Sequence, residues 1–287
     1  MGALSIYSTI GILLRFCVAS TDVVVLTRSL IGALVVGAAL LIRGGDWKAL
    51  KGKTLTVIIS GIVLCANWIF LFEGYSHVVS VASLCNYTAP LIFLVCAAVF
   101  FKERITLKQC IFVGLAAAGV VLVSGLTETD GSGAGQAAIY GMAAALCFVG
   151  ILFCNRKLAD IQPLVKTFVQ LICAAAATAV YMLVKSIVTG SNAFAGIADY
   201  DTVSIIILVI LGIVHTGFAY IFYFDAIGHV PAIRVAIFGY LEPVLAVIIS
   251  WIVLGEALSP LGIIGALLIV AAAAEPLIGR EKKQKRR

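Results

Sequence analysis

Charges set deep inside apolar runs are the residues of this chain best placed to do chemistry, because an ion at mid-membrane depth costs at least about 2.5 to 3.5 kcal/mol unless paired or wet. Glu242 is the sharpest of them, directly before Pro243, whose missing amide donor loosens the backbone there. A carboxylate so placed can carry a proton or pair with a cationic solute. Alternatively it neutralises Arg234, about two helical turns earlier, or caps an internal backbone group. Arg15 and Arg28 lie in the first two apolar runs, near Asp22. Facing a cavity, they would grip a carboxylate or phosphate through charge and forked hydrogen bonds. The other reading has them reach the headgroups or pair with Asp22 or Glu73, and for Arg28 it is the preferred one.

Polar and aromatic residues form a second group. Asn67 and Trp68 sit in mid-run, and Ser83, Asn86, Tyr87 and Thr88 precede Pro90; Tyr140, His215 and Tyr220 belong to later runs. Polar groups at membrane depth must face protein or water, so these are candidate pocket walls, with Trp68 and Tyr87 offering flat cation-π faces. Ordinary interhelical hydrogen bonding is the alternative. His215 stands alone and reads as a packing group before a proton relay. The eight cysteines lie in apolar runs without C-x-x-C, pointing to neither disulfide nor metal. H-E-x-x-H, P-loop and G-x-S-x-G motifs do not occur, so the expectation is no enzyme, no cofactor and no catalytic residue.

The elements that must hold these residues are set by solvent. At 62% hydrophobic and 12% charged residues, with a mean hydropathy of +1.15, the chain belongs in a bilayer. A hydrocarbon layer about 30 Å thick takes about 20 apolar residues of helix, and strand-like alternation is absent. The pattern predicts an all-α integral membrane protein with ten spans, over 3–19, 23–42, 54–73, 78–101, 105–125, 136–155, 164–187, 202–223, 231–254 and 260–278. The first reads as a true span, since Arg15 interrupts it and no Lys or Arg precedes it as in a signal peptide.

Basic residues fall in alternate connections: Arg43, Lys48, Lys51 and Lys53; Lys102, Arg104 and Lys108; Arg156, Lys157 and Lys166; and the tail REKKQKRR. The positive-inside rule then puts both termini in the cytoplasm of a multi-pass plasma-membrane protein. The net charge of +6 needs no nucleic-acid partner; it marks topology and contact with anionic lipid. Residues 69–78, IFLFEGYSHV, return at 221–230 as IFYFDAIGHV, with Asp225 and His229 answering Glu73 and His77. Topology places the copies on opposite faces, as an odd number of crossings per repeat requires. The expected organisation is two inverted five-helix repeats, 1–127 and 136–279, with an external linker at 128–135 and a basic tail at 280–287. Symmetry fails where Glu242 meets Ala89 and Arg234 meets Ala82.

The strings NYTAPLIFLVCAAVFFKERITLKQ and GYLEPVLAVIISWIVLGEALSPLG resemble the paired signatures of the EamA family of the drug/metabolite transporter superfamily. Each carries a Pro (Pro90, Pro243) in the fourth helix of its repeat and a Glu (Glu103, Glu256) opening the turn to the fifth; Arg28 resembles the family's early Arg. The resemblance implies a carrier of small metabolites whose cavity is lined mainly by spans 1, 3, 4, 6, 8 and 9. That makes Arg15 the better solute contact of the two arginines, and the region of Asn155 and Arg156, its internal echo, a candidate gate. Arg28, Pro90, Glu103, Arg234, Pro243 and Glu256 are assigned gating or structural parts. Glu103 and Glu256 are expected to accept from free amides at the start of the next helix, near Thr106 and Ser259.

The leading functional reading is a secondary transporter exporting amino acids or related compounds by alternating access, with a proton or counter-substrate as partner and Glu242 as the coupling candidate. A carrier of organic cations or phosphorylated sugars is the alternative, and a membrane enzyme or non-transporting protein ranks last. Oligomeric state is not encoded in the sequence.

Overall fold

A computed structural model describes residues 6–103, 106–123, 133–190, 192, 200–231, 234, 238–254 and 260–284. No strand occurs among the described residues. The helices are α1 (Ile10–Arg15), α2 (Thr21–Arg43), α3 (Thr54–His77), α4 (Val79–Asn86), α5 (Ala89–Phe100) and α6 (Leu107–Val123). They continue as α7 (Ala134–Lys157), α8 (Pro163–Thr189), α9 (Thr202–Ile210), α10 (Ala219–His229), α11 (Leu241–Leu254) and α12 (Pro260–Gln284). Among the described residues six helical stretches are long and apolar enough to cross a membrane: Thr21–Arg43, Thr54–His77, Val81–Phe100, Gly135–Lys157, Pro163–Thr189 and Thr202–Phe224. Cys110–Leu122 and Pro260–Ala272 are shorter apolar helices.

Four expected spans are interrupted among the described residues: the first by a turn at Ser8–Thr9 before the helix over Ile10–Arg15, the ninth at Tyr240, and the fourth and eighth, whose breaks have a local reason. The fourth breaks into α4 and α5 at Tyr87–Thr88, because Pro90 has no amide to give the Asn86 carbonyl; Leu91 and Ile92 turn instead to the Thr88 oxygen. The eighth widens into a π-helical stretch over Leu211–Phe218, where the Thr216 hydroxyl donates to the Leu211 carbonyl at 2.9 Å. This stretch lies against α2 at two glycines. A Cβ on Gly212 would stand 2.5 Å from Ile31 Cβ, and one on Gly32 2.8 Å from Thr216 Cγ2, so only glycine lets the backbones come this close.

Polarity is inverted relative to a water-soluble protein. Leu41 is 90% exposed and Ile187 81%, whereas Arg28, Asn155, Lys166, Gln170, His215 and Thr216 are buried. Exposed aliphatics belong against lipid, and polar groups excluded from it must bond inside the bundle. α3 packs along α7 and α8, α2 along α8, and α6 along α12.

The two ends of the bundle are distinguishable by their contacts. At one, the Lys53 ammonium pairs with Asp160 and the Asp46 amide donates to Gln162 Oε1 at 2.9 Å; this is the basic end. At the other, Lys185 donates to Asp22 at 2.7 Å, Val18 N to Ser204 Oγ at 3.0 Å, and Asp201 caps α9 through the Ser204 amide at 3.1 Å. Those hydrogen bonds from Ser204 hold the Asp201 carboxyl below its ordinary range. α3 therefore leaves the basic end and finishes at His77 by Gly133, while the α9–α10 stretch runs the opposite way and finishes at His229.

Candidate functional site

The interior site grows from α2. Arg28, on its second turn, is 2% exposed, donates from Nε to Thr216 Oγ1 at 3.0 Å, and lies 4.2 Å over the Trp68 ring. This corrects the preferred expectation. Arg28 neither reaches the headgroups nor pairs with Asp22, whose carboxylate takes Lys185. Because Thr216 gives its own proton to Leu211, its oxygen is turned to receive the guanidinium, so the π-helical stretch is what aims Arg28 inward.

Trp68 of α3 donates from Nε1 to the Tyr220 hydroxyl of α10 at 2.9 Å, with ring centroids 5.6 Å apart. Tyr7, just before α1, meets Tyr220 and Tyr223 edge-on, each at 5.5 Å, and Phe224 closes on Tyr220 at 4.7 Å. Edge-to-face packing of this kind satisfies the ring quadrupoles and leaves the hydroxyls to point elsewhere. Phe148 of α7 stacks on Tyr223 at 6.4 Å. The result is an aromatic box drawn from four separate segments.

Glu242, on the first turn of α11, lies within electrostatic reach of the hydroxyls of Tyr7, Tyr75, Tyr87, Tyr220 and Tyr223. Tyr7, Tyr75, Tyr87, Tyr223 and Glu242 are half-buried. The Tyr7 hydroxyl and Asn86 Oδ1 are buried with no hydrogen-bond partner, and Tyr75 is hydrogen-bonded to Ser83. Arg28 also acts on Tyr7 and Tyr220, so a fixed cation and a carboxylate address the same two hydroxyls.

The remaining expected residues divide. His215 is buried, with Nε2 2.7 Å from Thr9 Oγ1, beside the Arg28–Thr216 contact. Asn67 is spent on an interhelical bond, donating to Ala144 O of α7 at 2.8 Å. Tyr140 does not join the box; it stacks on exposed His77 at 5.7 Å at the far end. Arg15 is exposed at the end of α1 rather than inside. Glu103 does not serve as a cap for the next helix alone: Arg156 of α7 ion-pairs with it and also donates to Val230 O. Arg234 is half-buried, its amide donating to Pro231 O at 2.9 Å. Pro90 is buried at the α4–α5 break, Pro243 follows Glu242 in α11, and Glu256 and Ser259 lie outside the described residues.

Tyr7, Tyr75, Phe148, Thr216, Tyr223 and Phe224 were not singled out by sequence; Tyr223 and Phe224 belong to the repeated string, the one signal that marked them. A separate groove on the outer wall, lined by Cys85, Ala138, Ile139, Met142, Ala143 and Leu146, offers no ionic group and suits lipid tails.

Known proteins share sequence and fold with this chain. The chain is 26% identical over 269 residues, 90% of its length and 82% of the relative's, to a protein of Bacillus subtilis (strain 168) described as "Uncharacterized transporter YxxF". A solved structure titled "Crystal structure of protein" shares the fold at a TM-score of 0.76 and 21% identity, over 95% of this chain and 94% of that one. The model of the EamA-like transporter family matches residues 1–125 and 135–274. The chain belongs to the EamA-like transporter family.

Proposed function

We propose that this transporter is a secondary carrier for amino acids or related zwitterions, working by alternating access in the direction of export. The carrying observation is that two opposite charges, Arg28 and Glu242, both lie within electrostatic reach of the Tyr7 and Tyr220 hydroxyls. A zwitterion fits that pattern, with its carboxylate on the guanidinium and its ammonium between the carboxylate and the aromatic faces. The unpartnered Tyr7 hydroxyl and Asn86 Oδ1 would supply further hydrogen bonds to it. Glu242 is the coupling candidate, since a carboxylate held in protein and reached by solute can exchange a proton for an ammonium.

In this reading the polypeptide makes ten crossings as two inverted five-helix repeats, with the basic end in the cytoplasm of a plasma-membrane protein. Support comes from the opposite directions of α3 and α10, which carry the two copies of the repeated string. The Arg156–Glu103 pair then belongs to the cytoplasmic closure, the part expected of that region. An aromatic box with one carboxylate also suits organic cations, and the choice turns on whether Arg28 contacts solute. The test is flux by purified protein in liposomes against neutral amino acids, polyamines, nucleosides and quaternary cations. Saturable movement of neutral amino acids supports the proposal; movement of quaternary cations alone overturns it.

A further inference from the structure

Lys166 is the buried charge that neither the site nor the topology explains. By sequence it belongs with the loop cations Arg156 and Lys157; in the structure it is 0% exposed, inside the first turn of α8. Stripping an ammonium of water is among the costliest things a fold can do, and here the charge, within electrostatic reach of Asp160, is directed at the backbone of another helix. Its Nζ donates to the carbonyl of Phe224 in α10 at 2.9 Å. Phe224 packs on Tyr220 at 4.7 Å and on Tyr223 at 6.0 Å, so this carbonyl sits directly behind the aromatic wall of the site.

A second cation grips the same helix farther on. Arg156 donates to Val230 O at the end of α10 while ion-paired to Glu103, and its guanidinium lies 5.9 Å over the Phe101 ring. Arg156 meets α10 at its C-cap, where free carbonyls and the helix dipole favour positive charge, whereas Lys166 meets it at mid-helix, about one and a half turns earlier. Beside Lys166 the polar packing is incomplete: Gln170 donates to Ser60 Oγ at 2.7 Å, but Gln170 Oε1 and Thr167 Oγ1 are buried without a partner. A static core would fill this volume more stably with apolar side chains.

We propose that Lys166 is a positioning residue of the transport site: with Arg156 it clamps α10, and release of that clamp opens the aromatic box to the cytoplasm. The proposal rests on the alternating-access reading above. Lys166 acts through the α10 backbone and needs no contact with solute. One clamp contact is tied to the rings that bind, the other to the Phe101–Glu103 turn that closes the mouth, so binding and closure are joined in one helix.

Two native half-buried cysteines report on opposite ends: Cys154 in the last turn of α7 at the basic end, and Cys17 after α1 at the other. In proteins keeping one or the other as sole cysteine, labelling rates with a membrane-impermeant maleimide are measured in inside-out vesicles for Cys154 and right-side-out vesicles for Cys17. Lys166→Met is expected to speed Cys154 labelling by about fivefold or more and to slow that of Cys17, as a shift between two states requires. Arg156→Gln should move both reporters the same way, and Thr167→Val should move neither. An unchanged Cys154 rate, or a rise at both cysteines together, overturns the clamp; should Lys166→Met fail to fold, Arg156→Gln with the same reporters decides. The labelling needs no substrate. Absence of amino-acid flux alongside reciprocal labelling therefore strikes at the substrate, whereas flux without reciprocal labelling strikes at the clamp.

Discussion

Two sets of charges in this molecule stand in opposite solvents. At the basic end Lys53 and Asp160 are 36% and 64% exposed and pair in water; at the centre Arg28 is 2% exposed, stacked on Trp68 and bonded to Thr216. Exposed pairs contribute little because water and salt screen them and long side chains lose freedom. Buried ions are expensive, and apolar side chains of similar volume in their place are often as stable or more so. The contrast separates charges that merely tolerate their place from charges that have a task.

That contrast predicts a graded set of outcomes. Glu242→Gln has the largest expected effect: with Glu242 in the proposed role of solute contact and coupling group, its loss should cost about 3 kcal/mol, or about a hundredfold in transport efficiency, and abolish dependence on a pH gradient. Proteoliposome flux with and without an imposed gradient checks it. Arg28→Lys keeps the charge but loses the planar fork, the Nε donor and the ring stacking, so half-saturation for a zwitterion should rise about tenfold. An unchanged value would move Arg28 to the structural side. Tyr220→Phe removes the acceptor of Trp68 Nε1, a loss of about 1 kcal/mol or about fivefold, read from the same assay.

At the exposed end the effects shrink. The Lys53 ammonium holds the Asp160 carboxyl below its ordinary range, so the pair helps stability above that range and stops helping as pH falls through the lowered value. Lys53→Met should therefore leave transport intact and lower the melting temperature only slightly at neutral pH, a difference that disappears in acid once Asp160 is protonated in both proteins. A transport defect as large as that of Arg28→Lys would erase the distinction drawn between the two regions.

Much of the scaffold was legible because hydropathy is local: every span for which helix is described lies where apolar runs predicted one. The breaks were less so. Pro90 was visible, but whether a proline kinks or splits a helix depends on its neighbours, and the π-helical stretch depends on Gly212 and Gly217 meeting Ile31 and Val35 across the bundle. For the candidate site, Glu242, Trp68 and Tyr220 were legible as candidates because polar groups in apolar runs stand out one at a time. Arg28 and Lys166 were misplaced because a cation near the end of a span can turn outward or inward with the same sequence around it. Only packing against Thr216 and Phe224 decides that, and those partners are remote in the chain.

The most direct test is efflux of radiolabelled neutral amino acids from proteoliposomes holding the wild type or Glu242→Gln, with and without a pH gradient. The account predicts saturable, gradient-accelerated efflux for the wild type, and efflux about a hundredfold less efficient and insensitive to the gradient for the variant. Equal, gradient-driven efflux by both proteins, or no amino-acid movement by the wild type, would contradict it.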